Sequence, residues 1–469
     1  MSTTAPANAQ VNPPSLASMY LRLPRAVHIL CVGSFINRAG AFVMLFLTIY
    51  VSEVLGLGKT FASYCIGAFG LGAVISSFVG GQLADQFGRR VTLLFALFGG
   101  ATALVLLSVI TNGWLFMATM FCFAMIVEMY RPATSAMISD LTSPTQRPHA
   151  FGLMYIAINL GFAVAPPIGG FLAERSFHWL FWGDAITTAM YGMVILLFIS
   201  ESRPRVGANV NPSAAISDSS GNPYEPPLAD IAALDASERP SDGASNVAKN
   251  SSPEGSPSVS FRDAMRIIGR DGIFLTYCFC SLLSSIVFMQ AFVTLPLYLT
   301  GMGFTKSQFG SMICVNGILI VLFQLPLTHF LQRYSRTQIV VLGEILLAVG
   351  FGLTGFVSTA PLIVATIAIW TVGEIFQAPY KSAIVAEMAP VELRARYMGI
   401  FNLSHSLSLM LGAPIGGRIL DAFGPEILWP GCAVLLSLTT VSYGLLLRRH
   451  AAKRLEDQKN GQAPVMGTA

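Results

Sequence analysis

Ionisable residues interrupt long apolar runs, among them Arg38, Glu128, Arg131, Glu374 and His405. A charge in the middle of an apolar helix is costly, so such residues face a water-filled cavity, pair with one another or carry a proton. Arg38 follows Asn37 within the first apolar run, and Glu128 and Arg131 lie in the fourth. The expected arrangement is an Arg38–Glu128 pair, with Arg38 and Arg131 either neutralising the carboxylate or sharing in proton exchange. Glu374 has no basic residue within one helical turn. Burial penalises the charged form of a carboxyl group, so this position reads as a proton carrier. Lys381, two turns on, is expected to snorkel to the membrane interface. His405 either relays protons or bonds a neighbouring hydroxyl. Asn37, Tyr155, Asn159, Gln290, Asn316, Gln324, Gln377 and Asn402 are polar side chains in apolar surroundings. They either line a substrate cavity or hydrogen-bond between helices. The accompanying Phe and Met residues suit an amphipathic or apolar substrate.

The elements that hold these residues follow from composition. Of 469 residues, 54% are hydrophobic and 11% charged, against about 25% charged in soluble domains. The chain is therefore an all-α polytopic membrane protein. Apolar segments long enough to cross a bilayer as helices fall at 27–51, 62–84, 91–110, 114–138, 150–173 and 179–199. A second set covers 273–299, 308–330, 337–358, 361–386, 397–420 and 428–447. Residues 27–200 then form one six-helix bundle and 261–447 another. Residues 1–26 and 448–469 form polar tails, and 201–260, rich in Ser, Pro, Ala, Asn and Asp, form a disordered linker. Arg262, Arg266 and Arg270 make 261–270 an amphipathic lead-in on the membrane face. Basic residues crowd one side of the bundle, which places both termini and the linker in the cytoplasm.

Composition also excludes function classes. A net charge of +4 without arginine–aromatic interleaving argues against nucleic acid. The seven cysteines sit in apolar stretches without C-x-x-C spacing, so they read as packing residues, and neither metal nor cofactor is expected. No G-x-S-x-G, H-E-x-x-H or G-x-x-x-x-G-K-[ST] is present, so an enzyme or direct ATP coupling is not expected.

An internal repeat underlies the twelve segments. A shift of 247 positions places Arg89 on Arg336, Pro132 on Pro379, Asp140 on Glu387, Arg147 on Arg394, and Pro167-Ile168-Gly169-Gly170 on Pro414-Ile415-Gly416-Gly417. The charged turn Gly80-Gly81-Gln82-Leu83-Ala84-Asp85-Gln86-Phe87-Gly88-Arg89-Arg90 has small residues for close packing, a helix-breaking Gly88 and opposite charges at a bilayer mouth. Its equivalent, 327–336, keeps the basic residues and loses the acidic one.

The turn resembles the G-x-L-a-D-r-x-G-r-[kr] signature of the major facilitator superfamily. Gly161-Phe162-Ala163-Val164-Ala165-Pro166-Pro167-Ile168-Gly169-Gly170 resembles the motif of its twelve-helix drug:proton antiporter branch, with Ala165 where glycine is usual. The early arginine of that branch's fourth helix is missing between Phe116 and Val127, but the P-a-x-x-A-x-i-x-D-l ending is present at 132–141. The resemblance implies a monomeric secondary transporter of the bacterial inner membrane, exporting a hydrophobic or amphipathic small molecule in exchange for protons. It implies a cytoplasmic gate of Gly81, Asp85, Gly88, Arg89, Arg90 and Asp140, with Asp85, Arg89 and Asp140 latching the outward-open state. It also implies a hinge and seal at Gly161, Pro166, Pro167, Gly169 and Gly170. An uptake symporter or facilitator shares every feature except the antiporter motif, and a sensor or scaffold would use the linker as its interaction segment.

Overall fold

The computed structural model describes residue 20 and residues 22–143, 146–201, 261–390 and 393–459. The expectations for most of the tails and the linker lie outside the described residues. Six helices form the first half: α1 (Arg25–Val54), α2 (Gly58–Phe87), α3 (Arg89–Leu107), α4 (Gly113–Leu141), α5 (Arg147–Arg175) and α6 (Phe177–Phe198). Six more form the second: α7 (Gly272–Gly301), α8 (Lys306–Leu331), α9 (Arg336–Thr354), α10 (Ala360–Met388), α11 (Arg394–Phe423) and α12 (Pro425–Lys459). Among the described residues, eleven are long and apolar enough to cross a membrane. The remaining one, α11, is 30 residues long, but Asn402, Ser404, His405, Ser406 and Ser408 dilute its apolar run.

Helices α1 and α7 are interrupted at corresponding depths, and polar side chains take up the freed backbone groups. At the α1 break the Val43 N–H donates to the buried carboxylate of Asp184 on α6, 3.3 Å away. At the α7 break Gln290 donates to the carbonyls of Ile286 and Gly412, at 2.8 and 2.9 Å, and accepts from Thr294. Gln290 is thus a buried splint rather than a cavity residue, since its amide is spent on backbone.

The repeat is also spatial. Helix α5 packs along α8, and α2 along α11, so each half presents one early and one late helix to the other. A Cβ on Gly70 would meet the Met410 N at 2.4 Å, and one on Gly317 would meet the Ala163 Cα at 2.6 Å. Both residues of the second contact stand 247 positions from their counterparts in the first.

The two ends of the bundle differ. At the end opposite the charged turn, one continuous apolar core takes in both halves, with Phe46 of α1 edge-on to Phe309 of α8. At the turn end, that core gives way to two separate clusters, one in each half. The halves are therefore sealed together at the opposite end and parted at the turn end. The amphipathic helix Phe261–Arg270 buries Ala264 and Ile268 in the second half's cluster and leaves Asp263 and Arg266 exposed.

The seal depends on the absence of side chains. A Cβ at Gly310 of α8 would lie 2.1 Å from the Pro166 carbonyl oxygen of α5, whereas nothing lies within 4 Å of one at Gly301. Gly310→Leu is expected to hold the opposite end apart, with an overpacking penalty of about 1–3 kcal/mol. Transport should then fall while Gly301→Ala stays at the wild-type level. Vesicle flux measured beside thermal melting checks this, and normal flux in Gly310→Leu would show that the seal has no role in the cycle.

Candidate functional site

The cleft between the halves opens at the turn end. His405 and Asn402 of α11 are exposed at this level, and His405 lies within electrostatic reach of the Glu128–Arg131 pair on α4 of the other half. Across the cleft the Tyr155 hydroxyl of α5 donates to Gln324 Oε1 of α8, at 3.3 Å, joining the halves below the seal. Asn159 donates to the Tyr155 carbonyl on its own helix.

Glu374 stands half-buried on α10. Its Oε2 accepts from Asn316 Nδ2 of α8 at 2.8 Å, and the same amide reaches Thr371 Oγ1 at 3.1 Å. No ion pair to Glu374 occurs among the described residues. One turn away, Trp370 packs edge-on to Phe288, which meets Phe292, and Phe292 meets Phe162 of the other half. A carboxyl group without an ion-pair partner in an apolar surrounding can take up and release a proton.

The first half departs from the expected pairing. Glu128 bonds Arg131 on its own helix at 2.7 Å, and no ion pair joins Arg38 to Glu128 among the described residues. Residues three apart on a helix already face each other, so the local partner wins. Arg38 instead lines a cavity with Tyr130, Arg131, Thr134, Ser135, Ile138, Phe151, Met154 and Ile158. Asn37 donates to Thr188 Oγ1 at 2.8 Å and so ties α1 to α6.

The expectation that Lys381 snorkels is also corrected. Its ammonium is buried, 2.6 Å from Glu344 Oε1 of α9 and 3.1 Å from Ser284 Oγ of α7. Ser284 donates to the same carboxylate at 2.8 Å, and Thr439 of α12 reaches its other oxygen at 3.4 Å. Four helices thus converge on one charge pair. Glu344 and Asp184 did not figure among the expected site residues. The signal that singled out Glu374, one carboxylate in an apolar run, was present at both. Gln377 is buried beside Gly343 of α9, with its Oε1 unbonded, rather than set in the cleft.

At the charged turn, Gly88 takes φ 103°, a conformation that favours glycine. The Glu201 carboxylate accepts the N–H groups of Arg89 and Arg90 at 2.9 and 3.2 Å and so caps α3. Arg89 donates to the Ala84 carbonyl at 2.8 Å and meets Asp140 at 3.4 Å, while Arg90 donates to the Leu196 carbonyl at 2.6 Å. The side chain of Asp85 lies outside the described residues, and Gly81 faces open space. In the second half Arg336 pairs with Glu387, the counterpart of Asp140. This pair repeats Arg89–Asp140, while the position equivalent to Asp85 is Gln332. Both pairs lie within a half and coexist with a cleft open beside them.

The hinge residues divide between two tasks. Gly161 lets α5 approach the Arg38 Cβ and the backbone at Phe35 and Ala39, and Gly169 accommodates the Phe46 ring, all on α1, while Gly170 faces the Lys306 carbonyl of the other half. Pro166 and Pro167 lie inside the continuous α5. Without N–H groups they leave carbonyls one turn earlier unbonded within the helix, which lowers its resistance to bending.

Comparison with known proteins agrees with this architecture. An uncharacterized MFS-type transporter, YqjV of Bacillus subtilis, is 23% identical over 433 residues, covering 92% of this chain and 94% of its own. A Na(+), Li(+), K(+)/H(+) antiporter of Planococcus maritimus is 21% identical, covering 85% of this chain and 90% of its own. The crystal structure of a POT family transporter in complex with a thioalcohol-conjugated peptide superposes with a TM-score of 0.70. That match has 16% identity and covers 92% of this chain and 99% of that one. The sequence model of the Major Facilitator Superfamily matches residues 30–319 and 278–467. Two pseudo-symmetric six-helix bundles, a cleft between them and this match together mean that the chain belongs to the Major Facilitator Superfamily, as a multi-pass transport protein and not an enzyme.

Proposed function

We propose that this transporter exports an amphipathic small molecule with a cationic group in exchange for protons, by rocking of its halves around the central cleft. The observation that carries this reading is Glu374, a carboxyl group held by Asn316 with no cationic side chain paired to it, one helical turn from Trp370, whose ring meets Phe288 and through it Phe292. Ionised, it attracts an organic cation; protonated, it releases one. That competition is antiport. The name of the Planococcus maritimus relative supports exchange against protons.

In this reading the positive residues around the turn end face the cytoplasm, with both tails and the linker inside, and the protein works as a monomer in a bacterial inner membrane. In this reading the described state is open inward. The pairs Arg89–Asp140 and Arg336–Glu387 stiffen the inner ends of their halves, and α5 bends at its prolines during closure.

The test is flux in proteoliposomes under an imposed pH gradient, using a fluorescent lipophilic cation. Uphill movement against the proton flow supports export by antiport, movement with it reassigns the protein as a symporter, and indifference to the gradient removes proton coupling. Arg89→Ala removes the hydrogen bond to the Ala84 carbonyl at the end of α2 and the Asp140 contact together. It is expected to lower the flux several-fold, by a loss of about 1 kcal/mol or more at a charge-assisted contact. Unchanged flux would leave that pair without a part in the cycle.

A further inference from the structure

The first-half cavity contains polar groups that nothing in the fold satisfies. Buried donors are almost always hydrogen-bonded in native structures, so two orphans in one cavity call for an explanation. Arg38 Nε and Thr134 Oγ1 are both buried without a partner, and both residues line the same space. They come from different helices, α1 and α4, and Ser135 adds another hydroxyl to the lining.

Other charges near Arg38 do not supply the missing acceptor. Asp184, behind α1, lies within electrostatic reach of Arg38, but its oxygens serve the Val43 N–H and the Thr188 hydroxyl. Glu128 is engaged by Arg131. The guanidinium is therefore partly compensated in charge while its fork of donors remains open. That fork matches a planar oxyanion in two parallel hydrogen bonds.

We infer that the Arg38–Thr134 cavity binds an acidic group of the substrate, a carboxylate or a related oxyanion, so that the transported molecule is amphoteric. Its basic group meets Glu374 in the second half and its acidic group meets Arg38 in the first. Each half then holds one pole of the substrate, which couples occupancy to their relative position. The inference rests on the proposed cation site at Glu374 for the basic pole and on the orphaned donors for the acidic one.

Three indole probes of similar size separate the poles: tryptamine as the cation, tryptophan as the zwitterion and indole-3-propionate as the anion. Affinities are measured on the purified full-length protein in nanodiscs across a pH series. Tryptophan is expected to bind at least about tenfold more tightly than tryptamine, the ratio corresponding to one charge-assisted contact. Arg38→Gln should bring that ratio close to one, Arg38→Lys should restore part of it, and Thr134→Val, which keeps the volume, should reduce it several-fold. A wild-type ratio of one or less, or a ratio unchanged in both Arg38→Gln and Thr134→Val, overturns the acidic site. If the ratio follows Arg38 as expected while Glu374→Gln leaves the pH dependence of tryptamine binding intact, the acidic site stands and the cation site at Glu374 falls.

Discussion

Glu374→Gln is expected to abolish proton-driven transport while leaving a folded protein in the membrane. The replacement keeps the side chain's shape, and its amide oxygen can still accept from Asn316 Nδ2, which now bonds Oε2 at 2.8 Å. What it removes is the capacity to alternate between charged and neutral forms. In the wild type, affinity for a lipophilic cation should rise with pH as the carboxyl group ionises, over the range of about 5–150-fold typical of a coupling free energy of 1–3 kcal/mol. The variant resembles the protonated state permanently, so its affinity should be low and flat across pH, and a pH gradient should drive no flux. Equilibrium binding between pH 5 and 9, read with vesicle flux, decides the matter. A variant that still pumps uphill would mean that the proton is carried elsewhere.

Much of this architecture is written in the chain because a membrane demands it. Long apolar runs must become helices, and a duplicated sequence must give two similar bundles, so the halves and the charged turn were legible. Glu374 was legible for the same reason: one carboxylate in an apolar run stands out without knowledge of its neighbours. Partnerships between helices were not. Arg38 and Glu128 read as a pair because they are opposite charges within the first and fourth apolar runs, but that does not fix which way a side chain points around its helix, and Arg131 was nearer to Glu128. Lys381 looked like a residue reaching for the interface because its partner, Glu344, is on another helix 37 positions earlier. Gln290 looked like a cavity residue because the α7 break that consumes its amide has no clear sequence mark.

The Glu344–Lys381 pair offers the second large effect, because the protein contains its own uncharged version. The positions 247 residues earlier are Leu97 and Thr134, at the same helix crossing of the first half. Leu97 is 1% exposed there, so an apolar residue fills the place that Glu344 takes, fully buried, in the second half. The fold therefore does not need a charge at this crossing. Removing one member of the pair is nevertheless expected to be severe, at about 3–5 kcal/mol, since it strands the other charge in a low-dielectric interior. Glu344→Leu leaves the Lys381 ammonium with only Ser284 Oγ and the face of Tyr443, whose ring centre is 5.1 Å away. Lys381→Thr leaves the Glu344 carboxylate with hydroxyl donors alone. The double variant Glu344→Leu/Lys381→Thr restores the first half's chemistry and should recover most of the lost stability. Melting of the four proteins in one detergent closes the cycle. If the double variant melts near the wild type and still transports, the pair is a structural clasp of α7, α9, α10 and α12. If it melts normally but loses pH-driven flux, the charges serve the transport cycle itself. Additive loss from the two single variants would show that neither side chain senses the other, against the 2.6 Å contact that joins them.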